Sequence, residues 1–259
     1  SWVAASDLRI LGVLQRIALT YCLAALLLHY AGLRAALIYS VAVLLGYWWL
    51  LASFGDYSLA GNVALKVDLS LFGASHLYKG EGIPFDPEGL LGTLPATVNV
   101  LAGYAIMRTL RQRPSGQKTV VWFVAAGLGL IALSLAWNVY LPINKKIWTS
   151  SYVLCTIGID LLALALLVEF IDIRGWRRPT RYFETFGKNT LAIYLFAEIL
   201  MSVAWTVKIG DQALFMWIYT HGFQWAGAKS GSLLMALAFM HLCWMVANLM
   251  DKKRIFIRL

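Results

Sequence analysis

Val120-Val-Trp-Phe-Val-Ala-Ala-Gly-Leu-Gly-Leu-Ile-Ala-Leu-Ser-Leu-Ala-Trp-Asn-Val-Tyr140 contains no charged side chain. A helix rising ~1.5 Å per residue needs about 20 such residues to cross ~30 Å of hydrocarbon, and this run supplies them. It is continuously apolar rather than alternating, so it does not fit a barrel strand. On either side lie six runs of similar length: Ile10–Tyr30, Leu33–Ser53, Leu90–Met107, Tyr152–Ile171, Phe186–Thr206 and Ser232–Met250. Together they predict an all-α polytopic membrane helix bundle of about seven spans, one membrane domain over residues 1–259. Composition agrees, with 60% hydrophobic residues, 14% charged residues and a mean hydropathy of +0.70. A soluble domain is about a quarter charged, because water must wet its surface. The 11 Trp and 12 Tyr suit membrane interfaces, where amphipathic rings collect.

Positive residues set the expected orientation. Arg108, Arg111, Arg113 and Lys118 share one connection, and Arg174, Arg177, Arg178, Arg181 and Lys188 share another. Lys252, Lys253, Arg254 and Arg258 close the chain. These clusters fall on one side of a seven-span arrangement, and the positive-inside rule makes that side cytoplasmic. The N-terminus is then external, the C-terminus cytoplasmic, and residues 54–89, 141–151 and 207–231 form external loops. A bacterial inner membrane is the expected location. The net charge of +9 reflects this topology and anionic headgroups, so membrane lipid is the expected partner and nucleic acid is not. The chain opens on Ser1-Trp2 outside, and nothing before Ile10 serves as a signal. A preceding part with an odd number of spans is therefore expected. Cys22, Cys155 and Cys243 lie inside apolar runs without metal-ligand spacing, and no metal is expected.

Three charges lie well inside the spans, away from their ends. Arg16, Asp160 and Glu198 come to similar depth in the outer half of the bilayer when counted along their helices. Each costs at least ~2.5 kcal/mol if isolated there, so Arg16 is expected within ion-pair reach of one of the acids. A structural ion pair and a polar chamber open to the outside both fit. In the first external loop, Asp86-Pro87-Glu88 precedes an apolar run and reads as a helix start, with Asp86 as cap and Pro87 in the first turn. His76 near these carboxylates has the chemistry of a general base, although a solvated loop histidine is the commoner case. In the second loop, Lys145 and Lys146 run against the charge bias, and suit either lipid phosphates or an anionic ligand. Asn144 and Trp148 add donors and a stacking face there. Residues 211–227 are apolar and aromatic but short for a span, which suggests an interfacial or re-entrant segment.

Four strings resemble one family. Leu8-Arg9-Ile-Leu-Gly12-Val-Leu-Gln15-Arg16-Ile resembles the "RIxGVLQRI" signature of the heparan-alpha-glucosaminide N-acetyltransferase family. Asp86-Pro-Glu88-Gly89-Leu-Leu-Gly92-Thr93 is similar to its "DPEGxLGT" motif. Pro142-Ile-Asn144-Lys145-Lys146-Ile-Trp148-Thr149-Ser150 is similar to its "PxNKxxWxxS" motif, and Gly187-Lys188-Asn189-Thr190 to its late "GxN" helix start. The resemblance implies a polytopic enzyme that moves an acetyl group from acetyl-CoA to the amine of a glucosamine-type sugar on the extracytoplasmic face. The family's catalytic histidine lies in an early external loop that no position here matches, so it is expected upstream of Ser1, and the chain alone is expected to be inactive. His76 matches a different histidine, in the family's "HLY" segment.

On that resemblance, Asp86 and Glu88 are expected to orient the acceptor amine, with His76 beside them. Arg9, Arg16, Asn144, Lys145 and Trp148 are expected to hold acetyl-CoA. Asp160, Glu198 and Asn189 complete the polar set within the spans. The expected partners are an amino-sugar acceptor, the preceding helices of the same protein and a second copy of the chain. A transporter or flippase of a glycan precursor, without covalent chemistry, is the rival reading.

Overall fold

The computed structural model describes residues 8–112, 116–177 and 180–257. Arg113, Arg178 and Arg258 of the basic clusters, and Ser1-Trp2, lie outside the described residues. Among the described residues the chain is all-α apart from one two-stranded hairpin, and it forms two compact units that divide after Arg174. Six described helices are long and apolar enough to cross a membrane, or seven if one bent pair is a single span.

The first unit holds α1 (Val13–Tyr30), α2 (Gly32–Phe54), the short α3 (Val63–Phe72), α4 (Leu90–Gln112), α5 (Gln117–Trp137) and α6 (Ser150–Leu167). A π-helical turn, Val168–Ile173, extends α6. Gly32 at φ +75° makes the one-residue reversal between α1 and α2, a conformation that costs glycine nothing. The core at the heart of α2, α4, α5 and α6 is built from Leu44, Val98, Phe123, Val153, Ile157 and Leu161. α5 and α6 approach backbone to backbone, since a Cβ on Gly127 would stand 2.8 Å from the Gly158 carbonyl oxygen. Small residues permit this proximity, which is how helices associate where lipid removes the hydrophobic drive. Outward faces are apolar, with Ile38 71% and Val139 76% exposed, while Thr20, Thr97 and Ser134 are buried. Thr20 and Thr97 donate to carbonyls one turn back in their own helices, so the interior carries hydroxyls at little cost.

A second core caps one end of this unit. Tyr47, Leu51, Leu65, Leu77, Phe85, Leu141 and Ile147 bring the loops before α4 and α6 together over α2. The Tyr47 hydroxyl donates to the Ile147 carbonyl at 2.7 Å, and Ser150 Oγ to the Leu44 carbonyl at 2.7 Å. The long connection between α2 and α4 is therefore folded, with a helix of its own.

The second unit holds α7 (Thr180–Lys188), α8 (Thr190–Thr206), β1 (Lys208–Ile209), β2 (Gln212–Ala213), α9 (Leu214–Gly222) and α10 (Ala228–Lys252). The expected span Phe186–Thr206 is corrected here, because the helix breaks at Asn189 and α7 meets α8 at 85°. The cause is Asn189 itself. Its amide donates to the Ile255 carbonyl at 3.0 Å and accepts the Ile257 N–H at 2.9 Å, which holds the buried side chain out of a continuous helix. α9 is a short apolar helix within residues 211–227, too short to span.

Candidate functional site

The site is built where α1 begins. Arg9 lies just ahead of α1 and Arg16 in its first turn, and both reach the turn that leads into α4. Arg9 grips Asp86 with two bonds, Nε to Oδ2 at 2.9 Å and Nη2 to Oδ1 at 2.7 Å, and Nη2 also meets Glu88 Oε2 at 2.6 Å. The Asp86 carboxylate raises the Arg9 pKa, and burial opposes that only in part. Arg16 donates from Nη1 to the Pro87 carbonyl at 2.7 Å and from Nη2 to the Gly92 carbonyl at 2.5 Å. Its exposure is only 6%, and its buried Nε has no hydrogen-bond partner among the described residues. The Asp86–Gly92 turn is thus held from one side by two guanidinium groups.

Asp68 of α3 holds the other side. Its Oδ1 accepts the N–H of Leu90, the first residue of α4, at 3.0 Å, and its Oδ2 leaves no room for a side chain at Gly89. Asp68 is 2% exposed, and burial pushes its carboxyl up to about 6. The Leu90 N–H opposes that rise, the Asp86 charge adds to it, and Arg16 opposes it. Sequence reasoning missed Asp68, although a signal existed. It lies three residues after Leu65 and four after Ala64, on the buried face of an otherwise apolar helix.

The expected helix start is corrected in detail. α4 begins at Leu90, so Pro87 precedes the helix, and the helix's first N–H is satisfied by Asp68. Asp86 instead accepts the Glu88 N–H at 3.0 Å and folds the turn locally.

The second loop joins the same place through Trp148, a non-glycine residue at φ +50°. That strained conformation brings the Arg16 guanidinium to 4.0 Å above the indole ring, while the indole N–H donates to Asn99 Oδ1 of α4 at 3.2 Å. Asn99 in turn donates to Thr156 of α6 at 3.0 Å. Asn99 and Thr156 were not singled out from the sequence, because a lone Asn in an apolar run has no partner legible by spacing. Thr149 and Ser151 both donate to the Pro142 carbonyl, and Thr149 accepts the Tyr152 N–H, so the loop is stapled to the start of α6. Three motifs separated by up to 140 residues therefore meet at one end of the first unit.

Other predicted residues fall as follows. His76 bonds through Nδ1 to the Leu8 carbonyl at 2.8 Å. A carbonyl only accepts, so Nδ1 carries a proton, and in the neutral tautomer that this bond selects Nε2 is the acceptor. Asn144 Oδ1 accepts the Lys146 N–H, and Lys146 pairs with Glu81. Lys145 is exposed. Arg16 does not meet the expected carboxylate: its ends are taken by backbone carbonyls, which satisfy a guanidinium without a second charge, and Asp160 is exposed on α6. Glu198 is exposed on α8, and Asn189 serves the backbone of the chain's last described residues. Among the described residues, no group of three His, Cys, Asp or Glu is placed to hold a metal ion.

The fold and site define an integral membrane helix bundle with a clamped, charge-rich turn at one end of its first unit. Two curated proteins are similar to it. The heparan-alpha-glucosaminide N-acetyltransferase of Mus musculus is 30% identical over 155 residues, covering 54% of this chain and 24% of that protein. That of Homo sapiens is 27% identical over 165 residues, covering 58% of this chain and 25% of that protein. The chain spans about a quarter of the length of these relatives. Both similarities support the family resemblance carried by the motifs. No family model matches the chain.

Proposed function

We propose that this chain forms part of a membrane-bound acyltransferase that moves an acetyl group from acetyl-CoA to the amine of a glucosamine-type sugar. The convergence of the three motifs on one charged turn carries this reading, together with relatives named as glucosaminide N-acetyltransferases. In the reaction the amine nitrogen attacks the thioester carbonyl, the N–C bond forms as the C–S bond breaks, and a base takes the amine proton and passes it to the departing CoA sulfur, which leaves as the thiol. Glu88 suits the acceptor: its side chain is 21% exposed, and Arg9 engages only its Oε2. Asp86 has a side chain wholly out of solvent and spent on Arg9, so its part is to hold Glu88 in place. His76 presents Nε2 as a proton acceptor. Arg9 and Arg16 are committed to the turn, so the cation assigned to a CoA phosphate is the exposed Lys145, in the loop that carries Trp148.

The positive-inside bias supports an extracytoplasmic site and a cytoplasmic C-terminus, and in this reading the membrane is a bacterial inner membrane. Membranes holding the protein in its native setting, given labelled acetyl-CoA and glucosamine, should form labelled N-acetylglucosamine only when both substrates are present. Glu88→Gln should lower this rate without changing the amount of folded protein. Movement of glucosamine across sealed vesicles without acetylation would instead establish transport.

A further inference from the structure

The second unit contains a cavity of about 700 Å³ between α8, α9 and α10. Val203, Ala204, Phe215, Met235, Ala236 and Phe239 are among the residues that line it. Its polar groups are already satisfied. The Tyr219 hydroxyl donates to the Ala228 carbonyl at 3.3 Å, and Ser232 Oγ donates to the same carbonyl at 2.8 Å. The walls therefore ask for hydrocarbon, and the volume lies within the roughly 300–1,000 Å³ typical of ligand sites.

The surroundings of one end of the cavity identify the hydrocarbon. The lining there includes Ala204 near the end of α8, Leu214 at the start of α9 and Ala228 at the start of α10. Trp205 in the last turn of α8, and Trp217 and Trp225 in the connection from α8 to α10, are 52%, 37% and 80% exposed, as rings at a membrane interface are. Lys229 follows Ala228 directly, and Lys208 opens the hairpin whose second strand runs into α9. Both lysines are exposed, and they outnumber Asp211 in the hairpin turn. An apolar slot whose lining reaches an aromatic-rich end of these helices, with two cations in the adjoining chain, matches a chain and a headgroup joined in one molecule.

We propose that this cavity binds an acyl chain of an anionic phospholipid, whose phosphate lies at Lys208 and Lys229. The experiment reconstitutes the protein in vesicles of equal phosphatidylglycerol and phosphatidylcholine, extracts it in mild detergent, and reads retained lipid by native mass spectrometry. The wild type should retain a phospholipid, with phosphatidylglycerol favoured several-fold. Ala236→Trp fills the slot and should reduce retention several-fold. Lys208→Gln with Lys229→Gln, at exposed positions where folding is not at stake, should keep the lipid but bring the two headgroups to parity. If Ala236→Trp fails to fold, the lysine pair decides. No retained lipid in the wild type, or unchanged retention in folded Ala236→Trp, would overturn the proposal. So would an unchanged headgroup preference in the lysine variant.

Discussion

Asp68→Asn tests the logic of the clamp most directly. The amide is nearly the same shape, and its oxygen can still accept the Leu90 N–H, so the variant removes a charge and little else. Burial holds the native carboxyl near 6, against an ordinary value of 3.8. That difference is about 2 units, which at ~1.4 kcal/mol per unit is on the order of 3 kcal/mol. The sign follows from proton linkage. The folded state binds the Asp68 proton more tightly than the unfolded chain, so the stability this group contributes is fully present below about pH 4 and is lost as pH rises through about 6.

In detergent micelles, the wild type should therefore lose thermal stability between about pH 4 and pH 7 relative to Asp68→Asn. The variant should be the more stable protein at neutral pH. On the scaling of soluble chains of this size, roughly 2–4 °C per kcal/mol, the two melting curves should separate by several degrees at pH 7 and converge at pH 4. Parallel curves at every pH would refute the reasoning, because they would mean that the buried charge is compensated by a partner the geometry does not include. A variant less stable at every pH would equally refute it, by showing that the Leu90 N–H needs a full charge.

Arg16→Lys should cost about 1–3 kcal/mol in thermal unfolding, because one ammonium cannot serve the Pro87 and Gly92 carbonyls together while lying on Trp148. Gly158→Ala should cost a similar ~1–3 kcal/mol by overpacking, since the new methyl would stand 2.8 Å from the Gly127 carbonyl oxygen; unchanged stability would mean that α5 and α6 can part at no cost. In a background lacking the three native cysteines, Ser75→Cys should react with an impermeant maleimide on intact cells and Gly116→Cys should not. The reverse pattern would overturn the orientation drawn from the basic clusters.

What the sequence disclosed depended on where each residue's partner lies. Spans announce themselves by length and apolarity, which are local, so the runs around Val120–Tyr140 and Tyr152–Ile171 fall on α5 and α6. The break at Asn189 is not local. Its partners are Ile255 and Ile257, more than sixty residues on, and hydropathy carries no trace of them. The depth of Arg16 within its span points to a carboxylate partner for it. The actual acceptors are main-chain oxygens, which every residue has and no sequence displays. Asp68 was overlooked for the opposite reason: an acid in a polar loop looks solvated until the loop is seen to fold into a helix that buries it.

The same accounting of partners separates framework from chemistry in the motifs. Arg9 is held by Asp86 and Glu88, Arg16 by two carbonyls and an indole, and Asp68 by a backbone N–H. A guanidinium with its donors committed to its own protein has little left for a phosphate, and a carboxylate at zero exposure cannot touch a sugar. Motif residues that look most catalytic are thus the ones that fix the turn. Apart from the buried Nε of Arg16, the unspent capacity among the described site residues lies at the second oxygen of Glu88, Nε2 of His76 and the ammonium of Lys145. Each is tethered to a partner or a loop that the clamp holds, which is what the proposed transfer between two bound substrates asks of its site: few reactive atoms, held still by many that do not react.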